Sequence, residues 1–472
     1  MKRYFYPFLL IVAAVYLFFR LGWPDTIQFG YDQPRLATTI ADYLARGGYL
    51  TSQNFVLETP WGNVSWGPSL VFFFASVLSI SRDPLVASLI IAVLNLISVS
   101  TVFYIGWKFF SPKAGLTAGL ILAAHPWWII FSRMFYQPSF VPSLISISIL
   151  LTFLILKGKK SWFAGFLIFS WAVLAQFYLI TLSFITTSIV FLLPGIKKLS
   201  LRGILLGLAL AGLVFAPTFY FFRSNPDKIR AFLIAPGKFQ TTPGEVFVSY
   251  FKTISGGNLQ WELGYGYQDF VKNNFWVENI FAINVLLISL VFGYTFFRLF
   301  RDRENRTLRL LLVFWCIAPL WFLSLVKVEY AVPRYFLISL PPLSLLVGLF
   351  TDDLSKKVKY FSLLIPIFLI LSWGLIVARY YGFLENYSYP HGFLSHFSDI
   401  PYSFLRKSFD FMKGNAPKRG LWAVNYYLDY VDKNPEGKIL YEISFDAPNT
   451  QREIAARFGP YTIYKKDNGV KN

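Results

Sequence analysis

The chain has 472 residues, of which 55% are hydrophobic, 20% aromatic and only 15% charged. That composition excludes an ordinary soluble enzyme and describes a chain that lives largely in lipid. The net charge of +19 does not mark a nucleic-acid binder, because its Lys and Arg residues cluster in short loops between apolar runs, as cytoplasmic membrane loops do.

Lys2-Arg3 is followed by an apolar run to Phe19 with no small-residue cleavage pattern, so the start reads as an uncleaved first helix over about 4–22. Residues 23–66 form an unusually long first loop, with a helix expected over 32–46. The run 67–80 is too short to cross a hydrocarbon core of roughly 30 Å and reads as interfacial or re-entrant. Ten further spans are expected at 85–107, 114–131, 138–156, 161–177, 179–194, 203–222, 277–297, 310–326, 334–351 and 360–380. The nearly continuous stretch 161–194 is broken at Gln176-Phe177-Tyr178, because charge parity needs two spans there.

With the amino terminus inside, every basic cluster falls on the cytoplasmic side. These are Lys108/Lys113, Lys157/Lys159/Lys160, Lys197/Lys198/Arg202, the arginines 298, 301, 303, 306 and 309, and Lys356/Lys357/Lys359. The outer side then carries the first loop through residue 84, the turn 133–138, the long loop 223–276, the turn 327–333 and the tail from 382. The loop 223–276 is long enough to be expected to cover something. In the tail, Phe404–Lys413 and Leu421–Val431 look amphipathic. There 438–443 and 461–465 read as strands, and 451–458 as a helix. The expected architecture is an α-helical polytopic membrane protein. A bundle of about eleven transmembrane helices fills residues 1–381, and a small extracytoplasmic α/β module fills 382–472. It would sit in the plasma membrane, with its active site and carboxyl terminus outside.

Ionisable groups held at a membrane face are functional candidates. Asp32 and Arg35 are i,i+3 neighbours if 32–46 is helical, so they share a face. A carboxylate oriented by a guanidinium suits a general base for an acceptor hydroxyl; the competing role is a helix cap beside Pro34. Glu58 precedes the interfacial segment and is either a solvated loop acid or a substrate contact. Trp127 and Trp128 read as interfacial anchors, and His125 as a packing histidine. Arg133 either snorkels or meets an acid or a phosphate. Gln137 follows in the same turn. Lys327 and Arg334 flank a very short outer turn and form a pair suited to a phosphate, with Tyr335 beside them. Cys316 is the sole cysteine and lies in an apolar run, which excludes an intramolecular disulfide and a cysteine-based zinc site. His391 and His396 lack a third ligand. There is no internal repeat, P-loop or dinucleotide glycine pattern.

Several stretches together resemble the bacterial GT-C glycosyltransferases, the group of protein O-mannosyltransferases and aminoarabinose transferases (glycosyltransferase family 39-like). They are Phe29-Gly30-Tyr31-Asp32-Gln33-Pro34-Arg35, Trp66-Gly67-Pro68-Ser69-Leu70, Lys108 to Leu116, His125-Pro126, Ser132-Arg133, and Pro333-Arg334-Tyr335 with Leu340-Pro341-Pro342. The resemblance covers roughly residues 1–350. It implies a GT-C-type bundle and transfer of a sugar, mannose or another hexose or pentose, from a polyprenyl-phosphate donor. The acceptor would be a hydroxyl on protein, lipid or envelope glycan. Transfer would invert the anomeric carbon, with Asp32 as base and Lys327, Arg334 and Arg133 around the departing phosphate. The family often has an acidic pair where this chain has Asp32-Gln33. More distant oligosaccharyltransferases carry a metal-binding acid where this chain reads Phe135-Tyr136-Gln137-Pro138. A metal-independent, cofactor-free enzyme is therefore expected, with membrane lipid and the lipid-linked sugar as partners and no nucleic acid. Two other readings stand beside it. A lipid-linked oligosaccharide polymerase or ligase would depend on outer-loop arginines. A secondary transporter would need broken, polar helices at the midplane, often in repeated halves.

Overall fold

In lipid a chain must satisfy its backbone within each segment, so apolar runs of this kind become helices. The protein is described by a computed structural model over residues 2–29, 32–48, 56–59, 62–65, 67–158, 161–224, 241–264, 266–301, 305–326, 330–358, 361–386, 402–412, 417–418, 426, 441–444, 454–458 and 461–465. After α1 (Phe5–Leu21), the first loop contains α2 (Asp32–Ala45), a hairpin of β1 (Val56–Thr59) and β2 (Gly62–Ser65), and α3 (Pro68–Ile80). There follow α4 (Pro84–Phe109), α5 (Pro112–Ala124), α6 (Pro126–Ser132), α7 (Val141–Leu156), α8 (Ala164–Phe177), α9 (Thr181–Leu192) and α10 (Leu201–Ser224). The expected long loop holds α11 (Pro243–Ile254), α12 (Gln260–Leu263) and α13 (Gly266–Asn273). The bundle closes with α14 (Val277–Arg301), α15 (Arg306–Val326), α16 (Leu340–Ser355) and α17 (Leu364–Glu385).

All eleven expected spans are helical. Among the described residues, seven helices are long and apolar enough to cross a membrane by themselves and α5 with α6 makes an eighth, bent by 60°; α1, α8 and α9 are shorter apolar helices. The bend has a local cause: a residue before proline is pushed to extended backbone, and His125 before Pro126 sits at φ −65°, ψ 126°. The break expected near 176–178 is present, with Tyr178 extended between α8 and α9. At 13 residues, α3 is about 20 Å long, short of a span.

Three helices meet closely in the centre. A Cβ on Gly106 of α4 would lie 2.6 Å from the Gly115 Cα of α5, and one on Gly348 of α16 would strike the Ala114 carbonyl. Small residues let helix backbones approach where lipid supplies no hydrophobic drive between them. At one end of the bundle Asp353 of α16 takes Arg309 at 2.7 Å and Arg298 at 3.3 Å. Beside it Asp352 takes the Ser111 hydroxyl at 2.6 Å and Lys356 at 3.0 Å. The α4–α5, α14–α15 and post-α16 turns, all assigned to one side by charge, therefore share one end. The first loop emerges at the other.

The tail supplies α18 (Tyr402–Met412) and a sheet of order β3-β4-β6-β5, with β3 (Pro417–Lys418), β4 (Tyr441–Ser444), β5 (Ile454–Phe458) and β6 (Tyr461–Lys465). The helix expected over 451–458 is instead β5, antiparallel to β6 with Phe458 opposite Tyr461. Its helix-forming residues are overridden by strand pairing with β6. α18 packs on β5, β6 and residues 24–26. The Tyr426 ring meets Phe29 at 5.4 Å while its hydroxyl donates to the Arg82 carbonyl at 2.8 Å. The tail therefore rests on the first loop. Apart from Tyr426, the expected amphipathic stretch 421–431 lies outside the described residues, as do His391 and His396.

Candidate active site at the first-loop end

α2 buries one stripe, Leu36, Ala37, Ile40 and Ala41, at the spacing an amphipathic helix requires, and the helix packs on α3. α3 is anchored in turn: the Gln176 side chain accepts from the Ser69 amide at 2.9 Å and its carbonyl from the Gly67 amide at 3.3 Å. Asp32 is the first residue of α2, and half-buried Arg35 follows within its first turn. Glu58 lies in β1 opposite Asn63. That is a hairpin position rather than the open loop expected, and Pro60 and Gly62 were its turn signals.

The neighbouring wall is the turn after α6. The Phe135 amide donates to Gln33 Oε1 at 2.9 Å, which ties this turn to the start of α2. The Tyr136 hydroxyl accepts from Arg334 Nη1 at 2.5 Å. The Arg334 guanidinium lies 5.6 Å from the Tyr136 ring centroid and 5.8 Å from that of Tyr335, within cation–π range. Tyr335 stacks on Tyr178, from the α8–α9 break, at 5.9 Å. Gln137 is half-buried, and its Oε1 has no hydrogen-bond partner among the described residues, nor has the buried Nε2 of Gln33. The structure thus brings Asp32, Arg35, Gln137, Arg334 and Tyr335 onto three adjoining segments. Lys327 lies outside the described residues. Among those described, no three His, Cys, Asp or Glu side chains gather as metal ligands.

Arg133 does not snorkel. It is wholly buried, and burial pulls its pKa down from the usual guanidinium value. Its Nη1 donates to the Arg20 carbonyl at 2.5 Å, and its Nη2 to the Trp23 carbonyl and, at 2.9 Å, to the Thr26 hydroxyl. The Tyr381 ring lies 4.4 Å beneath it. The Nη donors of Arg133 are thus taken by two backbone carbonyls and one hydroxyl of residues 20–26. Trp127 and Trp128 are buried too, not interfacial. Trp127 Nε1 donates to the Gly257 carbonyl at 2.6 Å and His125 Nε2 pairs with the Ile254 carbonyl at 3.1 Å, so the segment after α11 covers them. The contacts come from the last residue of α11 and the turn that follows it, so part of the expected covering loop does lie over buried residues. Sequence reasoning places Gln33 and Tyr136 in its candidate stretches but gives neither a role, and uses Tyr178 only to mark a helix break. The aromatic–basic pairing of Tyr136 with Arg334 spans 198 residues of chain, and no local pattern announces it.

No protein-family profile matches the chain, and no curated protein sequence matches it. Solved structures do. The chain is similar to ArnT from Cupriavidus metallidurans bound to undecaprenyl phosphate, with a TM-score of 0.61 and 12% identity over 100% of this chain and 99% of that one. The apo state of the same protein gives a TM-score of 0.58 and 12% identity over 98% of each chain. The oligosaccharyltransferase of Archaeoglobus fulgidus in complex with Zn and sulfate gives 0.53 and 15% identity over 90% of this chain, which spans 56% of that longer one. At such identities the likeness shows the fold. The protein has the polytopic helical fold of these membrane proteins, with a small carboxy-terminal sheet.

Proposed function

We propose that the protein is a membrane glycosyltransferase that moves one sugar from a polyprenyl-phosphate donor to an acceptor hydroxyl at the outer membrane face. The observation that carries this reading is the convergence of α2, opened by Asp32, with the Tyr136–Arg334 pair, at the loop end of a fold that matches ArnT from end to end. That ArnT structure holds undecaprenyl phosphate.

In the proposed reaction the Asp32 carboxylate takes the acceptor O–H proton as that oxygen bonds to the anomeric carbon. The bond from that carbon to the phosphate oxygen breaks, and its electron pair leaves with the polyprenyl phosphate. Attack from the face opposite the leaving group inverts the centre. Arg334, with Lys327, neutralises charge growing on the phosphate; cations held in place before reaction are most effective there. Arg35 and Glu58 are assigned to the acceptor, and Gln137 and Tyr335 to the donor sugar. A lipid-borne donor accounts for a site built at the membrane surface without a nucleotide-binding loop. No step is assigned to a metal.

The test is donor turnover in liposomes with radiolabelled polyprenyl-phosphate mannose and other polyprenyl-phosphate sugars, with a membrane extract as acceptor. Transfer or donor hydrolysis above empty liposomes is the expected result. Absence of turnover with every lipid-linked monosaccharide, alongside polymerisation of a lipid-linked oligosaccharide, would replace this reading with the polymerase one.

A further inference from the structure

Arg133 brings an unusual pair of facts together: a fully buried guanidinium, and acceptors that all come from the first fragment of the chain, residues 20–26. Arg20 answers in the reverse direction. It is also buried, and it donates from Nε to the Ser132 carbonyl at 2.9 Å and from Nη2 to the Ser88 carbonyl at 2.8 Å and the Ser88 hydroxyl at 2.5 Å. Two residues past Arg133, the Phe135 amide holds Gln33. One short turn therefore grips the segment 20–33 at both ends, just before and just after the place where Asp32 enters α2. The middle is held as well, with Trp23 stacked on Tyr381 at 5.5 Å and Gln28 Nε2 bonded to the Tyr380 hydroxyl at 2.7 Å.

We infer that Arg133 is a positioning residue for the Asp32 base and not a ligand of the donor phosphate. The inference rests on the proposed glycosyl transfer and deepens it. A guanidinium is a planar fork whose separate nitrogens reach separate acceptors, whereas a lysine ammonium presents one point. Lysine at this position keeps the charge but cannot hold the Arg20 and Trp23 carbonyls and the Thr26 hydroxyl together. A slip of about 1 Å in a reacting group costs about 10²-fold in rate, while donor affinity, set at Arg334, stays put.

The experiment compares wild type, Arg133→Lys, Arg133→Gln and the milder Thr26→Val, each reconstituted in nanodiscs. Thr26→Val removes one acceptor of the fork and tests the idea even if both Arg133 variants fail to fold. Amide exchange by mass spectrometry is read over 23–36, and kcat and KM are read for polyprenyl-phosphate sugar. Arg133→Lys is expected to speed exchange in 23–36 while the helices of the bundle stay protected. Its kcat should fall about 10- to 100-fold with KM within twofold, and Thr26→Val should shift both in the same direction by less. Unchanged exchange in Arg133→Lys overturns the inference. So does faster exchange with unchanged kcat, which is a purely structural brace, or a raised KM at constant kcat, which is a phosphate ligand. Wild-type protein that turns over no donor defeats the glycosyltransferase reading instead, and with it the catalytic half of the inference; exchange still decides whether the fork holds 23–36.

Discussion

Replacing Arg334 by glutamine removes a cation of the site whose side chain reaches the turn after α6. In the resting protein the change deletes a charge-assisted hydrogen bond to the Tyr136 hydroxyl, 2.5 Å long, worth about 1.5–3 kcal/mol. It also deletes ring contacts at 5.6 and 5.8 Å, worth about 0.5–1 kcal/mol each at partly exposed positions. The larger effect falls in the transition state. Losing one preorganised group that faces developing oxygen charge typically lowers kcat by about 10²–10³, or roughly 2.7–4 kcal/mol. Tyr136→Phe is the control: it keeps the ring and loses only the hydroxyl, so about 1–2 kcal/mol, or 5- to 30-fold, is expected. The assay is initial-rate donor turnover in nanodiscs at saturating and limiting donor, with folded protein counted by size exclusion. Arg334→Gln should lie below Tyr136→Phe in kcat, and Arg334→Lys between them. Arg334→Gln within threefold of wild type would refute the assignment of the leaving phosphate to this residue.

Three further outcomes follow from the geometry. Turnover is expected to survive excess chelator within twofold, because the stretch Phe135-Tyr136-Gln137-Pro138 carries no acid; activity lost on chelation and restored by a divalent ion would require a metal step. Gly256→Ala should lower the melting temperature by several degrees, because φ there is +87° and a Cβ would sit 2.6 Å from the Trp373 indole nitrogen. A cost of about 1–3 kcal/mol is expected, and an unchanged melting curve would show that the segment over the α5–α6 bend packs otherwise. Arg309→Met leaves Asp353, 5% exposed, without its 2.7 Å partner. A loss of about 1.5–3 kcal/mol is expected, because Arg298 still faces Asp353 at 3.3 Å, with KM for donor unchanged; a KM effect would mean this end of the bundle communicates with the other.

Much of this fold is legible in the chain because lipid imposes one rule, helix or nothing, on long apolar runs. Charge parity even located the break at Tyr178, which no composition change marks. What escaped reading is of another kind. From sequence Arg133 stands open between snorkelling and binding because its acceptors, two of them backbone carbonyls, lie more than 100 residues earlier in sequence, and a carbonyl carries no sequence signature. Trp127 and Trp128 resembled an aromatic belt because nothing local shows that the segment after α11 folds over them. The strand at 454–458 hid behind helix-forming residues until β6 paired with it. The candidate site was half visible: its charged members stand out against apolar surroundings, whereas Tyr136, Tyr178 and Gln33 matter only through partners brought by the fold.

The central claim is that Asp32 is the base of a glycosyl transfer. The most direct measurement is single-turnover sugar transfer from labelled polyprenyl-phosphate donor by wild type and Asp32→Asn, with donor affinity measured on the same samples. The account predicts donor affinity within about threefold and a transfer rate at least about 10²-fold lower, in line with the loss of general-base catalysis. Equal transfer rates in the two proteins would contradict it.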